Sequence, residues 1–330
     1  MNVLLCMPMA YVSRRMTSHK SAQAIIYADM VRQAGNAVTV NFGDITDYTP
    51  YDAVYVYHGN DFSGGLNIFG GLQAADASPM VSLSKFTGPV YSLAIPFPSY
   101  HEMVGSRIAS ARKNGTAIRQ EWLNIDLANL AAMQSKAQQV VHPLDSNKLV
   151  IGDSHSICLY RPGWMVNSVP FTTLNGALNR GLDSYIHKEV DELDVYFGNI
   201  DIRHHLCRLE GNYIDHTVDL AKRYAEAVNK IDAKVSVYEP LPIENESRKL
   251  PKTGYYDGKP FWGSWQQRNE ARNVFIQTMQ QELAGPRLVN WTNNLMNDLG
   301  ELSFDKMEKP QSIHLARSAY PFWTGADISG

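Results

Sequence analysis

The chain has 330 residues, of which 44% are hydrophobic and 19% charged, and its net charge is -3. This length exceeds that of one small domain, and the composition is typical of a folded globular protein and excludes extensive disorder. The slightly negative charge does not support DNA as a partner, although a local basic surface would still allow DNA binding. No apolar run approaches the roughly 18 residues that span a bilayer, so we predict a cytoplasmic protein without a membrane partner.

The first hundred residues alternate strands with a helix. We predict strands over 3–7, 37–42, 53–57 and 90–95, and a helix over 18–33 that closes at Gly35. This alternation favours a parallel, Rossmann-like sheet. Residues 102–139 are rich in helix formers and are predicted to form connecting helices.

The alternation of strands and helices resumes after a linker at 142–145. Strands are predicted at 149–152, 193–198 and 234–238, and helices near 172–187, 213–231 and 266–283. The fold class is therefore α/β, with two Rossmann-like or flavodoxin-like parallel-sheet domains at 1–145 and 146–330.

Cofactor and metal motifs are missing from the sequence. The three cysteines, Cys6, Cys158 and Cys207, are far apart and show no zinc or disulfide spacing. The glycine-rich segment 58–71 matches neither the P-loop nor the dinucleotide-binding motif. We expect no cofactor and no metal, and the segment 58–71 is interpreted as a loop that shapes a cleft.

The most informative segment is 149–160, which reads LVIGDSHSICLY. An apolar strand there runs directly into Gly152, Asp153, Ser154 and His155. Open α/β sheets present a nucleophilic serine in this way, at the carboxyl end of a strand. Such a serine needs a base to remove its proton and donors to stabilise the oxyanion.

A second strand, at 194–203 (DVYFGNIDIR), ends in glycine and polar residues, and His314 follows near the C-terminus. This order of blocks resembles the SGNH (GDSL-like) serine hydrolases. The resemblance implies that Ser154 is the nucleophile and His314 the general base. It also implies oxyanion donors, namely the Ser154 N–H, the N–H of Gly176 (with Gly181 as a rival) and the side chain of Asn199.

The third block departs from the family pattern. The family writes G-x-N-D, whereas Asn199 directly follows Gly198; at a strand end, a shift of one place turns a side chain to the other face. A GDSH branch of the family carries I-D-x-R here, which resembles 200–203. Arg203 is then expected either to bind an anionic group of the substrate or to orient the loop. The expected substrate-binding residues are Asp153, His155, Asp201, Arg203 and His204.

The last block departs as well. The family writes D-x-x-H, but Gln311 stands three residues before His314, so the usual carboxylate is missing. Asp305 and Glu308 are close enough in sequence to substitute for it.

Other interpretations of these residues stay open. Asp201 and His204 have D-x-x-H spacing themselves, so His204 or His205 is an alternative base. Ser154 could simply cap a helix, and Asn199 could be a turn residue. Asp153, His155, Asp201 and His204 are also metal-ligand types, without the spacing of an established site.

The first domain has a different resemblance. Residues 1–8, 21–27, 51–57 and above all 67–73 (NIFGGLQ) resemble the first domain of phage DNA β-glucosyltransferases. The acidic catalytic base of those enzymes would fall near Ala94, which has no carboxylate. The resemblance therefore implies phage DNA modification as a context, and substrate docking rather than catalysis in this domain.

These patterns favour an SGNH-like serine esterase or acyltransferase with a Ser-His dyad. Its expected partner is a small-molecule or carbohydrate substrate, either an O-acylated sugar or a modified nucleotide. The alternatives are a glycosyltransferase-like DNA-modifying enzyme and a catalytically inactive binding protein on the same scaffold.

Overall fold

The computed structural model describes residues 1–6, 19–41, 47–57, 86–93, 141–169, 172–247, 262–309 and 312–323. Contacts divide the chain into two compact units, with one boundary between Asp145 and Ser146. The segments 58–71 and 102–139, the motif 67–73, Ala94 and Gln311 lie outside the described residues, so the predictions made for them stay predictions.

The first unit contains one parallel sheet. Strands β1 (Asn2–Cys6), β2 (Ala37–Asn41), β3 (Ala53–Tyr57) and β4 (Val90–Leu93) are arranged in the order β2-β1-β3-β4. All neighbouring strands in it are parallel. Helix α1 (His19–Gln33) connects β1 to β2, and its residues 22–28 are buried throughout. The predicted α/β architecture is confirmed here.

The second unit contains the other parallel sheet, in the order β6-β5-β7-β8-β9. Its strands are β5 (Lys148–Asp153), β6 (Met165–Val169), β7 (Glu192–Tyr196), β8 (Lys234–Tyr238) and β9 (Arg287–Val289). Its α-helices are α2 (Leu174–Arg180), α3 (Asn199–His204), α4 (Tyr213–Asn229) and α5 (Trp265–Glu282). A 3-10 helix, Ser154–Leu159, follows β5 directly. None of the helices in the described ranges is long and apolar enough to cross a membrane.

Two elements near the predicted site were not foreseen. Strand β6 contains two adjacent polar residues, Asn167 and Ser168, which are both buried. They interrupt the apolar run by which a buried strand is recognised in a sequence. Helix α3 occupies residues that were predicted as the end of a strand, because Ile200 and Ile202 mimic strand alternation. Gly198 takes a left-handed conformation (φ +101°) that lets the chain turn from β7 into the helix.

The strand order places Ser154 at a switch point of the second sheet. The chain leaves β5 for β6 on one side of it and then crosses to β7 on the other side. Loops diverge at such a point, and the crevice beyond the carboxyl ends of the strands is the usual ligand site of open α/β sheets. The ends of β5, β6 and β7 therefore bring residues 154, 172–173 and 198–199 to one edge.

Gly152 allows the turn after β5 to pass very close to β7. A Cβ atom at this position would lie 2.2 Å from the carbonyl oxygen of Tyr196 and 2.5 Å from Cβ of Ser156. Both neighbours are held in the packed interior, so a side chain at position 152 would force β5 and β7 apart.

We expect Gly152→Ala to lower the free energy of unfolding by about 2–3 kcal/mol, as overpacking of a core does. Urea denaturation measures the change. Gly285→Ala is the matched control, since a Cβ there meets no atom within 4 Å. Equal stability of the two variants would contradict this account of the turn.

Candidate active site

Ser154 is the first residue of the 3-10 helix Ser154–Leu159. Asp153 precedes it as the helix cap, and its carboxylate accepts a hydrogen bond from the N–H of His155 at 2.8 Å. The capping role that was one interpretation of Ser154 therefore belongs to Asp153. Ser154 is 7% exposed, and its hydroxyl lies at the edge of the sheet.

The hydroxyl of Ser154 contacts the imidazole of His314. Ser154 Oγ and His314 Nε2 are 2.9 Å apart, although 160 positions separate the two residues. The loop that carries His314 is anchored on both sides of it. The N–H of Glu308 donates to the carbonyl of His314 at 3.0 Å, and the N–H of Ala316 donates to the carbonyl of Lys306 at 2.8 Å.

The other ring nitrogen of His314 faces two oxygen atoms. Nδ1 lies 3.3 Å from the hydroxyl of Ser312 and 4.0 Å from the carboxylate of Glu308, whose side chain is 7% exposed. The second carboxylate considered from the sequence, Asp305, is exposed and pairs with Ser303 and Lys306. Of these two carboxylates, Glu308 is therefore the one beside His314.

His155 packs against His314 from the interior. The two rings are stacked, with centroids 4.6 Å apart and planes inclined by 27°. His155 is 4% exposed, and its Nδ1 lies 2.9 Å from the carboxylate of fully buried Asp153. The expectation that Asp153 and His155 bind the substrate is corrected, because both side chains are buried and bonded to each other.

Gly176 does not fit the role expected of it. Its N–H donates to the hydroxyl of Thr173 at 3.0 Å, where Thr173 caps helix α2. The N–H of its rival Gly181 donates to the carbonyl of Leu178. Both donors are used within and at the end of a helix, so the assignment of Gly176 to the oxyanion site is corrected.

Asn199 is fully buried at the start of α3. Its Oδ1 accepts hydrogen bonds from the N–H of Leu241 at 2.9 Å and from Arg203 at 3.2 Å. Asn199 thus ties α3 to the loop after β8, and its role as an oxyanion donor stays a prediction.

Asp201 caps α2 from a neighbouring helix. Its carboxylate accepts hydrogen bonds from the N–H groups of Leu174 at 2.6 Å and Asn175 at 3.2 Å. Burial raises the pKa of Asp201 to about 6, even though these two donors favour the charged form. Its carboxylate therefore holds the start of α2, and the expectation that Asp201 binds the substrate stays a prediction.

Arg203 is 1% exposed and is surrounded by acceptors. It pairs with buried Glu244 at 2.8 Å and donates to the carbonyls of Pro242 at 2.6 Å and Leu241 at 3.4 Å. An anionic substrate has no access to a guanidinium held in this way. Of the two roles expected from the sequence, the structure shows that Arg203 orients the loop after β8.

His204 and His205 were the alternative bases. His204 is buried at the end of α3, and His205 lines a cavity of about 320 Å³ together with Asp201 and His216. The structure brings His314 to the hydroxyl of Ser154, which favours His314 as the base. His204 is buried to the same extent as Ser154, and its assignment to substrate binding stays a prediction.

The metal interpretation gains no support from the described residues. They contain no group of three or more His, Cys, Asp and Glu side chains placed to hold an ion. The hydrogen bond between Asp153 and His155 accounts for two of the four residues that suggested a metal.

Sequence reasoning missed the role of Ser312. Its hydroxyl accepts a hydrogen bond from the backbone N–H of His314 at 3.0 Å and also lies beside Nδ1. A serine two residues before a histidine is a common turn pattern, so this contact could have been foreseen locally. The stacking of His155 on His314 could not, because it joins residues that are far apart in the sequence.

The comparisons with known proteins find similar proteins only among solved structures. No protein-family model and no curated protein matches the chain. A lipase/acylhydrolase from Enterococcus faecalis is 15% identical, with a TM-score of 0.35, over 52% of this chain and 89% of its own. A carbohydrate acetylesterase from Sinorhizobium meliloti is 12% identical, with a TM-score of 0.34, over 52% and 93%.

A protein assigned to the lipolytic G-D-S-L family from Desulfitobacterium hafniense is also similar. It is 13% identical, with a TM-score of 0.36, over 53% of this chain and 94% of its own. Several of the similar structures are thus lipase or acylhydrolase proteins of the SGNH/GDSL type.

The raised pKa of Asp201 predicts a specific pH dependence of stability. In the folded state the carboxyl of Asp201 keeps its proton up to about pH 6, whereas in the unfolded chain it has the ordinary aspartate pKa of 3.8. The protonated carboxyl of Asp201 thus contributes up to about 3 kcal/mol to the free energy of unfolding. This contribution is fully present below pH 3.8 and is lost as the pH rises to about 6.

Between pH 3.8 and about 6, this loss gives the free energy of unfolding a downward slope against pH. We expect Asp201→Asn to remove the part of the slope that Asp201 causes. Urea unfolding of wild type and variant at several pH values between 3.5 and 7 measures it. Asp298→Asn, at an exposed aspartate, should keep the wild-type slope. A variant Asp201→Asn with that slope unchanged would show that Asp201 titrates alike in both states.

Proposed function

We propose that this protein is a serine esterase or acyltransferase whose nucleophile is Ser154 and whose general base is His314. The contact of 2.9 Å between Ser154 Oγ and His314 Nε2 carries the proposal. A serine hydroxyl is a weak nucleophile until a base within hydrogen-bond distance accepts its proton. The side chain of His314 is 24% exposed, so a substrate can approach the pair from solvent.

The reaction follows from this pair. Ser154 Oγ attacks an ester carbonyl while its proton passes to His314 Nε2, and an oxygen–carbon bond forms. The tetrahedral intermediate then collapses as His314 returns the proton to the leaving oxygen. Water or an acceptor hydroxyl next attacks the acyl-enzyme, again with His314 as base, and this step separates a hydrolase from a transferase.

The donor to the oxyanion is assigned from local structure. The first N–H groups of a helix have no intrahelical acceptor, and Ser154 is the first residue of its 3-10 helix. The N–H of Ser154 is therefore the first donor that we propose, and Asn199 is the second. An O-acylated sugar or modified nucleotide is the proposed substrate class, with the acyl group at Ser154.

We expect a fluorophosphonate probe to label the wild-type protein once, as read from the intact mass. Ser154→Ala should give no adduct because the nucleophile is missing. His314→Ala should react roughly 10³-fold more slowly because nothing removes the proton.

Circular dichroism of both variants controls for folding. Equal labelling of the wild type and Ser154→Ala would exclude Ser154 as the nucleophile. A folded wild type that takes up no probe would instead favour the inactive binding protein considered from the sequence.

Glu308 is the carboxylate proposed to stabilise the protonated form of His314. At 4.0 Å from Nδ1 it acts through its charge rather than through a direct hydrogen bond. We expect Glu308→Gln to slow fluorophosphonate labelling at neutral pH roughly tenfold, the effect of one lost charge at this distance. Asp305→Asn is the matched control, since Asp305 pairs with Lys306 instead, and an equal loss in both variants would contradict the role of Glu308.

A further inference from the structure

The contacts between Nδ1 of His314 and the oxygen atoms of Ser312 and Glu308 are longer than the hydrogen bond of a catalytic triad. A charge-assisted hydrogen bond to a carboxylate is about 2.7–2.9 Å long. Nδ1 of His314 lies 4.0 Å from Glu308 and 3.3 Å from the hydroxyl of Ser312. Neither contact holds the ring as the aspartate of a Ser-His-Asp triad does.

The stacked ring of His155 supplies a second constraint. Its face lies against the face of His314, with centroids 4.6 Å apart. His155 cannot turn freely, because Nδ1 and the backbone N–H both bond to Oδ1 of Asp153, at 2.9 and 2.8 Å. Asp153 is itself fully buried at the end of β5.

We propose that His155 is a positioning residue that, together with the charge of Asp153, holds His314 in place and stabilises its protonated form. This inference rests on the proposed function, in which His314 takes the proton of Ser154. A ring face attracts a cation stacked on it, and a nearby carboxylate favours the charged form of a histidine. His155 itself exchanges no proton in this scheme.

The surroundings of His155 agree with such a role. Its Nε2 is buried and has no hydrogen-bond partner in the part of the chain that the structure describes. The ring therefore acts on its neighbour through its face and not through a chain of hydrogen bonds. Leu241, which the buried arginine Arg203 holds in place, packs beside both histidines.

The other titratable groups around His155 and His314 are Cys158, Tyr320 and Glu308. The positive charge of Arg317 lowers the pKa of Tyr320, but less than burial raises it. Burial raises the pKa of the Cys158 thiol and of the Tyr320 hydroxyl well above their usual values, so both are neutral near pH 7. The carboxylates of this cluster are Asp153, which bonds to His155, and Glu308, which lies 4.0 Å from Nδ1 of His314.

The decisive experiment measures the pKa of His314 by NMR on the full chain labelled in its histidine rings. We expect Asp153→Asn to lower this pKa by about one unit, because it keeps the acceptor for His155 but removes the charge. His155→Ala, which removes the stacked ring, should lower it in the same direction, whereas His155→Phe, which keeps a ring face, should leave it close to the wild-type value. Asp298→Asn and His216→Phe are the matched controls and should leave it unchanged.

Hydrolysis of p-nitrophenyl acetate gives a second readout. In Asp153→Asn, the acidic limb of the pH profile of kcat/KM should move to lower pH. The plateau of kcat/KM should be roughly 10- to 100-fold lower, as when a supporting partner of an active-site histidine is lost. A damaged fold would lower the rate without moving the limb.

The two proposals fail in different ways. An unchanged His314 pKa in Asp153→Asn would overturn the role of His155 and Asp153, even in an active esterase. A wild type that neither hydrolyses the ester nor takes up fluorophosphonate would overturn the function, while a lowered pKa in Asp153→Asn would still demonstrate the coupling.

Discussion

The buried residue Asp153 is the constraint on which the edge of the second sheet depends. Its carboxylate accepts two hydrogen bonds from His155, and its carbonyl accepts hydrogen bonds from the hydroxyls of Ser156 at 2.8 Å and Ser168 at 3.1 Å. A carboxylate removed from water is costly unless donors surround it. The donors to this carboxylate both belong to His155 in the 3-10 helix, whereas the hydroxyls of Ser156 and of Ser168 on β6 bond to the main-chain carbonyl. The same residue therefore fixes the turn that presents Ser154 and the strand beside it.

A second buried set of charges shapes the other side of the site. Three arginines, one on α3 and two on α5, hold the loop after β8. Arg203 pairs with Glu244 and donates to Pro242, Arg268 lies 3.8 Å from Glu244, and Arg272 donates to the carbonyl of Pro240 at 2.9 Å. Buried ion pairs add little net stability, because desolvation offsets the attraction, but breaking one is costly. Their effect is to give the loop one conformation, which sets Leu241 beside the two stacked histidines.

The elements that the sequence predicts well are those whose apolar pattern is regular. Strands β3 and β8 begin and end where the pattern places them, and helix α4 differs only by its last two residues. Strand β6 and helix α3 were missed because their polar side chains form hydrogen bonds with neighbouring elements, which the apolar pattern of the sequence does not reveal. Asn167, for example, sits in a buried strand because its amide donates to the carbonyl of Tyr185 at 3.0 Å.

The sequence by itself determined the α/β class, the turn that presents Ser154 and the choice of His314 as a candidate base. The class and the turn follow from local patterns, in which strands alternate with helices and an apolar strand leads into G-D-S. The choice of His314 follows from the resemblance of the block order to the SGNH hydrolases. Only the tertiary structure decided that Arg203 and Asp201 serve the fold, that Glu308 faces His314 and that His155 stacks on it. Charged residues after a strand look alike in sequence whether they meet a substrate or a buried backbone group, and that difference is set by contacts between distant segments.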